Sequence, residues 1–100
     1  MSRTTLKLVT IIAEPVLEEQ LVGELHRLGA RGHTVSVAHG AGSRGLHAAD
    51  PPGQVIRVEC LVTPEVADRI LDHVAGHYFE DYSVVAFVSQ VEVVRAGKYA

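Results

Sequence analysis

Apolar residues along this chain switch between a period of two and a period near 3.6, and each switch marks a new element. Residues 5–13, TLKLVTIIA, are short and rich in β-branched side chains, which predicts a strand. Pro15 suits the first turn of a helix, with Glu14, Glu18 and Glu19 near the positive end of its dipole. Leu17, Leu21, Leu25 and Leu28 then recur at helical spacing, and Gly29 or Gly32 ends the run. Residues 33–39 alternate, Val35 and Val37 against Thr34, Ser36 and Ala38. Residues 54–62 alternate again, with Ile56, Val58, Cys60 and Val62 opposite Val55, Arg57, Glu59 and Leu61. Thr63-Pro64 reads as a cap followed by proline at the first helical position, and Val66, Ile70, Leu71 and Val74 form the stripe of a second helix. Residues 83–94, SVVAFVSQVEVV, predict a long final strand.

The order β-α-β-β-α-β predicts an α+β, ferredoxin-like fold: a four-stranded antiparallel sheet with two helices on one face. The other face is then bare, and a half-buried strand should alternate cleanly. The last strand does not. Val84, Ala86 and Val88 are apolar on one side, and Val85, Phe87, Val91 and Val93 on the other. A lone subunit would leave that strip wet at ~25 cal/mol per Å², so the bare face is expected to close against other copies of the chain.

Composition narrows the function more than the fold. One hundred residues make one expected domain, 1–100, and 47% hydrophobic with 21% charged residues is a globular balance. A net charge of −3 gives no footprint for nucleic acid or an anionic membrane. No apolar run approaches a membrane span or a signal peptide, so the expectation is a cytoplasmic protein without membrane insertion. Cys60, the only cysteine, sits in an apolar run and reads as a buried thiol rather than a nucleophile.

The one long stretch without a period is residues 39–53, HGAGSRGLHAADPPG. Gly40, Gly42 and Gly45 spell G-x-G-x-x-G, but a dinucleotide fingerprint needs a helix after the glycines, and LHAADPPG is broken by Pro51-Pro52. A kinase loop would need a catalytic loop and a metal-binding aspartate that this chain lacks. Two readings stay open: an anion-binding nest of backbone N–H groups with the Arg44 fork, or a plain hairpin connection using turn residues.

Further residues then point to a family. Gly32-His33-Thr34-Val35 entering the second strand, Gly42-Ser43-Arg44, and Tyr78-Phe79-Glu80-Asp81-Tyr82 before the last strand stand at the spacing of the PII signalling superfamily. The chain resembles that family from Lys7 to about Arg95, and is most similar to the carboxysome-associated, SbtB-like branch. The resemblance implies a homotrimer that binds adenine nucleotides in clefts between subunits, and a T-loop, here 39–53, that reports the ligand to a partner. It implies that Thr34 contacts adenine, that Gly40, Gly42, Ser43 and Arg44 face phosphate, and that Tyr82, Ser83 and Val84 close the site from the neighbouring subunit. Arg95 falls where nitrogen-regulating members keep a phosphate-binding arginine. ADP or AMP with bicarbonate is the implied ligand set, with cyclic AMP and ATP as the other nucleotides. The implied partner is a bicarbonate transporter or a carboxysome component, and no cofactor or metal is expected.

The sequence departs from the family at informative places. No tyrosine for covalent modification occurs between Gly32 and Tyr78, and Tyr82-Ser83-Val84 replaces a glycine loop whose lysine would meet a γ-phosphate. His47 stands where SbtB-like members carry a second arginine, and it is charged only below a pKa of ~6.5. No cysteine-bearing extension follows Arg95.

Elsewhere, His73 and His77 lie at i and i+4 without a third ligand nearby and read as exposed surface histidines; His39 and His47 flank the glycines as solvated residues or phosphate contacts. Asp68 and Asp72 read as a solvated face. Arg57 and Glu59 project onto the bare face and are expected to pair across a subunit boundary, while Tyr78, Phe79 and Tyr82 are expected to pack where the last strand begins. No nucleophile elbow or acid/base pair converges, so nothing demands an enzyme. The alternative reading is a non-sensing structural or metal-tolerance trimer of the same fold.

Overall fold

A computed structural model describes residues 2–41 and 53–95 of the chain. Its elements are β1 (Thr4–Ala13), α1 (Glu18–Leu28), β2 (Thr34–His39), β3 (Gln54–Val62), α2 (Pro64–Tyr78) and β4 (Val85–Val93). The sheet order is β2-β3-β1-β4, and every described pairing is antiparallel. This is the ferredoxin-like arrangement expected from the periodicity.

The hydrophobic period decides which face the helices cover. Val9, Ile11 and Ala13 of β1 pair with Cys60, Val58 and Ile56 of β3, and all six are buried under the helices. Leu21 and Leu25 of α1 and Val66, Ala67, Ile70, Val74 and Tyr78 of α2 complete that core. Cys60 is buried there, and burial pushes its thiol up to about 11, so no reactive thiolate is available near neutral pH.

Punctuation residues set the ends. Pro15–Leu17 forms a 3-10 turn before α1 rather than its first α-helical turn. Gly29 ends α1 at φ 121°, and a Cβ there would meet Val66 Cγ2 at 3.1 Å, so both backbone and packing require glycine. Thr63 caps α2, its hydroxyl oxygen accepting the Val66 N–H at 3.4 Å. β4 starts two residues later than the apolar run suggests, because Val84 turns into the core below α2. Among the described residues no helix is long and apolar enough to cross a membrane.

Candidate functional site

The face opposite the helices is apolar and open. Leu6, Leu8 and Ile12 of β1 lie on it beside Val91, Ser89 and Val85 of β4. Phe87 stands opposite Thr10 and, with Val85, is a large exposed apolar side chain. The only charges on this face of β3 are Arg57 and Glu59. They meet each other within the chain, Arg57 Nε to Glu59 Oε2 at 3.3 Å. Thr10, fully buried between Glu59 and Phe87, donates its hydroxyl to the same Glu59 oxygen at 3.5 Å.

A concavity of about 740 Å³ lies over this face between the start of β2 and the end of β4. Thr34 and Glu59, paired across β2 and β3, line it with Leu8, Leu61, Val91 and Val93. Such a volume suits a small ligand held by apolar walls and a few polar groups. Arg95 follows β4 at this same end, exposed, with φ 68°.

The other expected residues are at the far end of the sheet. Gly40 follows β2, six residues and roughly 20 Å from Thr34 at ~3.3 Å per strand residue. Its N–H donates to the Gly53 carbonyl at 2.8 Å, closing the base of the long loop. Gly53 sits at φ 80°, with the Gly40 oxygen 3.3 Å from where a Cβ would stand. Tyr82, Ser83 and Val84 lead into β4 at this same end, since Val85 pairs with Ile12. Gly42, Ser43, Arg44 and His47 lie outside the described residues. Thus Gly40 and Tyr82-Ser83-Val84 share one end of the sheet, Arg95 lies at the other, and Thr34 stands between them in a row with Glu59, Thr10 and Phe87.

Two polar features escaped the sequence reading. Glu14 does not serve a helix dipole; its side chain is buried, and Oε1 accepts the Ser83 N–H at 3.4 Å. His73 is not a free surface histidine: its Nε2 lies 3.0 Å from Glu24 Oε1 between the helices. Tyr78 Oη donates to that oxygen at 2.6 Å and accepts from Gln20 Nε2 at 2.8 Å. His77 stacks on His73 with centroids 4.0 Å apart and hydrogen-bonds the His73 carbonyl through Nδ1. Burial alone would raise the Glu24 pKa, but the Tyr78 and His73 hydrogen bonds and the His73 charge outweigh it, and the carboxyl lies below its ordinary value. Burial and the Glu24 carboxylate together push the Tyr78 phenol up. Glu24 at i+4 from Gln20 on α1 was the only hint in the sequence, and it needed α2 beside it to mean anything. Phe79, expected to pack, is nearly half exposed instead. No group of three or more His, Cys, Asp or Glu side chains suited to a metal ion occurs among the described residues.

The domain is thus a ferredoxin-like sheet with one helix-covered face, one open apolar face and a ligand-sized concavity on it. The chain belongs to the P-II family: the model of nitrogen regulatory protein P-II matches residues 6–98. A PII-like signaling protein from Thermus thermophilus is similar in structure, with 51% identity, full coverage of both chains and a TM-score of 0.87. CPII from Thiomonas intermedia K12, solved bound to ADP and bicarbonate, is 29% identical over 99% of this chain and 98% of its own, with a TM-score of 0.84. The same protein bound to ADP, AMP and acetate matches at 26% identity over the same shares, with a TM-score of 0.79. The chain is therefore a PII-like regulatory protein.

Proposed function

We propose that this chain, one PII-like domain over residues 1–100, senses adenine nucleotides, ADP or AMP foremost, together with bicarbonate. The site forms in the clefts of a homotrimer. One subunit contributes Thr34 and the loop base, Gly40 with Gly42, Ser43, Arg44 and His47. Its neighbour closes the site with Tyr82-Ser83-Val84, and Arg95 adds a phosphate contact. The observation that carries this reading is the spread of the site residues over an open apolar face, with Thr34 on the edge strand β2, Tyr82-Ser83-Val84 entering the opposite edge strand β4, and Arg95 at the far end of β4. One chain cannot gather them within an adenylate's length, whereas copies packed on that face can. CPII, bound to ADP and bicarbonate at 29% identity, supports the choice of ligands.

Binding energy spent in ordering the T-loop, 39–53, shifts its population between states that do and do not engage a partner. No bond is made or broken in this scheme, so the chain is a regulator and not an enzyme. The lack of a cation for a γ-phosphate favours ADP and AMP over ATP. The SbtB-like features of the sequence support a partner in inorganic carbon uptake, such as a bicarbonate transporter or a carboxysome component, in the cytoplasm.

Calorimetry with ADP, AMP, cyclic AMP and ATP, each with and without bicarbonate, tests the reading. ADP or AMP should release heat, and Arg44→Ala should cost about 2 kcal/mol of that affinity, the loss of one charge-assisted bond, with the assembly intact. Absence of heat with every nucleotide would overturn it in favour of a structural trimer.

A further inference from the structure

Glu14 is unusual among the carboxylates of this chain. It directly follows β1, is only 5% exposed, and caps the turn that starts at Pro15 through its carbonyl alone, its side chain making no capping hydrogen bond. Removing a carboxylate from water is costly unless donors replace the lost hydration. The Ser83 N–H at 3.4 Å is the donor the structure supplies. Ser83 lies in the middle of the segment joining α2 to β4, and the rest of that segment is pinned at both ends. Tyr78, fully buried at the end of α2, holds it through its carbonyl, which accepts the Tyr82 N–H at 2.9 Å and the Asp81 N–H at 3.3 Å. Val84 is buried in the core, and its N–H donates to the Tyr82 carbonyl at 3.0 Å.

Tyr78 is itself held from α1 by Glu24 and Gln20. The segment is therefore anchored from both strand and helix layers, and Glu14 is the single side chain among the described residues that grips its middle. A backbone amide tied to a buried carboxylate cannot reorient without stranding that charge, which is a larger penalty than losing a neutral hydrogen bond.

We propose that Glu14 is a positioning residue for the ligand site: its buried carboxylate fixes the Ser83 amide and so presets the backbone of Tyr82-Ser83-Val84 that meets a ligand held against the neighbouring subunit. The inference rests on the nucleotide reading above. Glu14 touches no ligand itself. Its contribution is preorganisation, which lowers the ordering cost that binding would otherwise bear.

The test uses the intact protein, ADP as the probe, and two independent readouts: calorimetric ADP affinity and hydrogen exchange of the Ser83 amide. Glu14→Ala should weaken ADP binding about tenfold, the scale of one hydrogen bond to a charged group, and speed Ser83 exchange at least as much. Glu14→Gln keeps an acceptor oxygen and should restore most of both. Should Glu14→Ala fail to assemble, Glu14→Met, of similar volume without that acceptor, takes its place in the comparison. Unchanged Ser83 exchange in the variant lacking the acceptor overturns the brace. Faster exchange with unchanged ADP affinity overturns its link to the ligand. If the unaltered protein gives no heat with any nucleotide, the nucleotide reading has failed, and the exchange comparison still decides separately whether Glu14 holds the segment.

Discussion

The two faces of this sheet were built from equally apolar strands and ended differently. On the helix side, Val9, Ile11, Ala13, Val58 and Ile70 are completely buried within one chain. On the other side, Val85 and Phe87 stay exposed, and the charged groups, Arg57 and Glu59, are already paired with each other. The first face is a core. The second is an apolar surface whose charged groups are already paired, so the closure against a second copy proposed above would leave few donors or acceptors stranded. The proposed site between subunits needs both: a packed half that fixes the sheet and an uncovered half that meets a copy.

That contrast can be broken most sharply on the open face. Phe87→Asp puts a charge where the proposed interface is dry, and should reduce the solution mass from a multiple of 10.8 kDa to a single chain while the circular dichroism keeps its α+β form. An unaltered protein that already weighs one chain would dissolve the comparison. On the covered face, Ile70→Ala removes a fully buried side chain and should cost about 2–5 kcal/mol of stability, read as a lower denaturation midpoint, with assembly kept until the chain unfolds. Smaller still is the effect between the helices. Tyr78→Phe takes the 2.6 Å donor from Glu24 and should cost about 1–2 kcal/mol at neutral pH, because Glu24 keeps His73.

The same cluster sets a direction with pH. The folded Glu24 pKa lies below the unfolded value of 4.5, so its contribution is present above pH 4.5 and disappears as pH falls through the folded value. Tyr78→Phe should shrink that acid-side loss. For Tyr78 the sign is reversed: the folded phenol is raised above 10.0, so its contribution is complete below pH 10.0 and is lost as pH climbs past the folded value. Urea midpoints measured from pH 3 to 7 for both chains would show the difference on the acid side.

Much of this was legible from single residues. Pro64 after Thr63 located the start of α2, the choice of Gly29 or Gly32 bracketed the end of α1, which falls at Gly29, and the period of 54–62 matched β3 from Gln54 to Val62. The mixed pattern of β4 revealed an apolar second face before any strand was paired. The site was less legible. Thr34, Gly40 and Tyr82-Ser83-Val84 could be named as a set, but their distribution between the two edge strands of the sheet depends on how the strands are ordered and paired. Glu14 and His73 were misread because their partners, Ser83 and Glu24, are 69 and 49 residues away. No local pattern encodes contacts that distant.

What the chain determines by itself is its alternation of periods, the residues that start and stop each element, and an excess of apolar surface beyond what two helices can cover. These are local properties of spacing, propensity and side-chain volume. What only the tertiary structure decided is that the Thr34 and Ser83 regions lie at opposite edges of the sheet, that Arg57 meets Glu59 within one chain, and that buried Glu14 grips a loop far along the sequence. Those are long-range pairings, and they exist only once hydrophobic burial has brought distant segments within hydrogen-bonding reach.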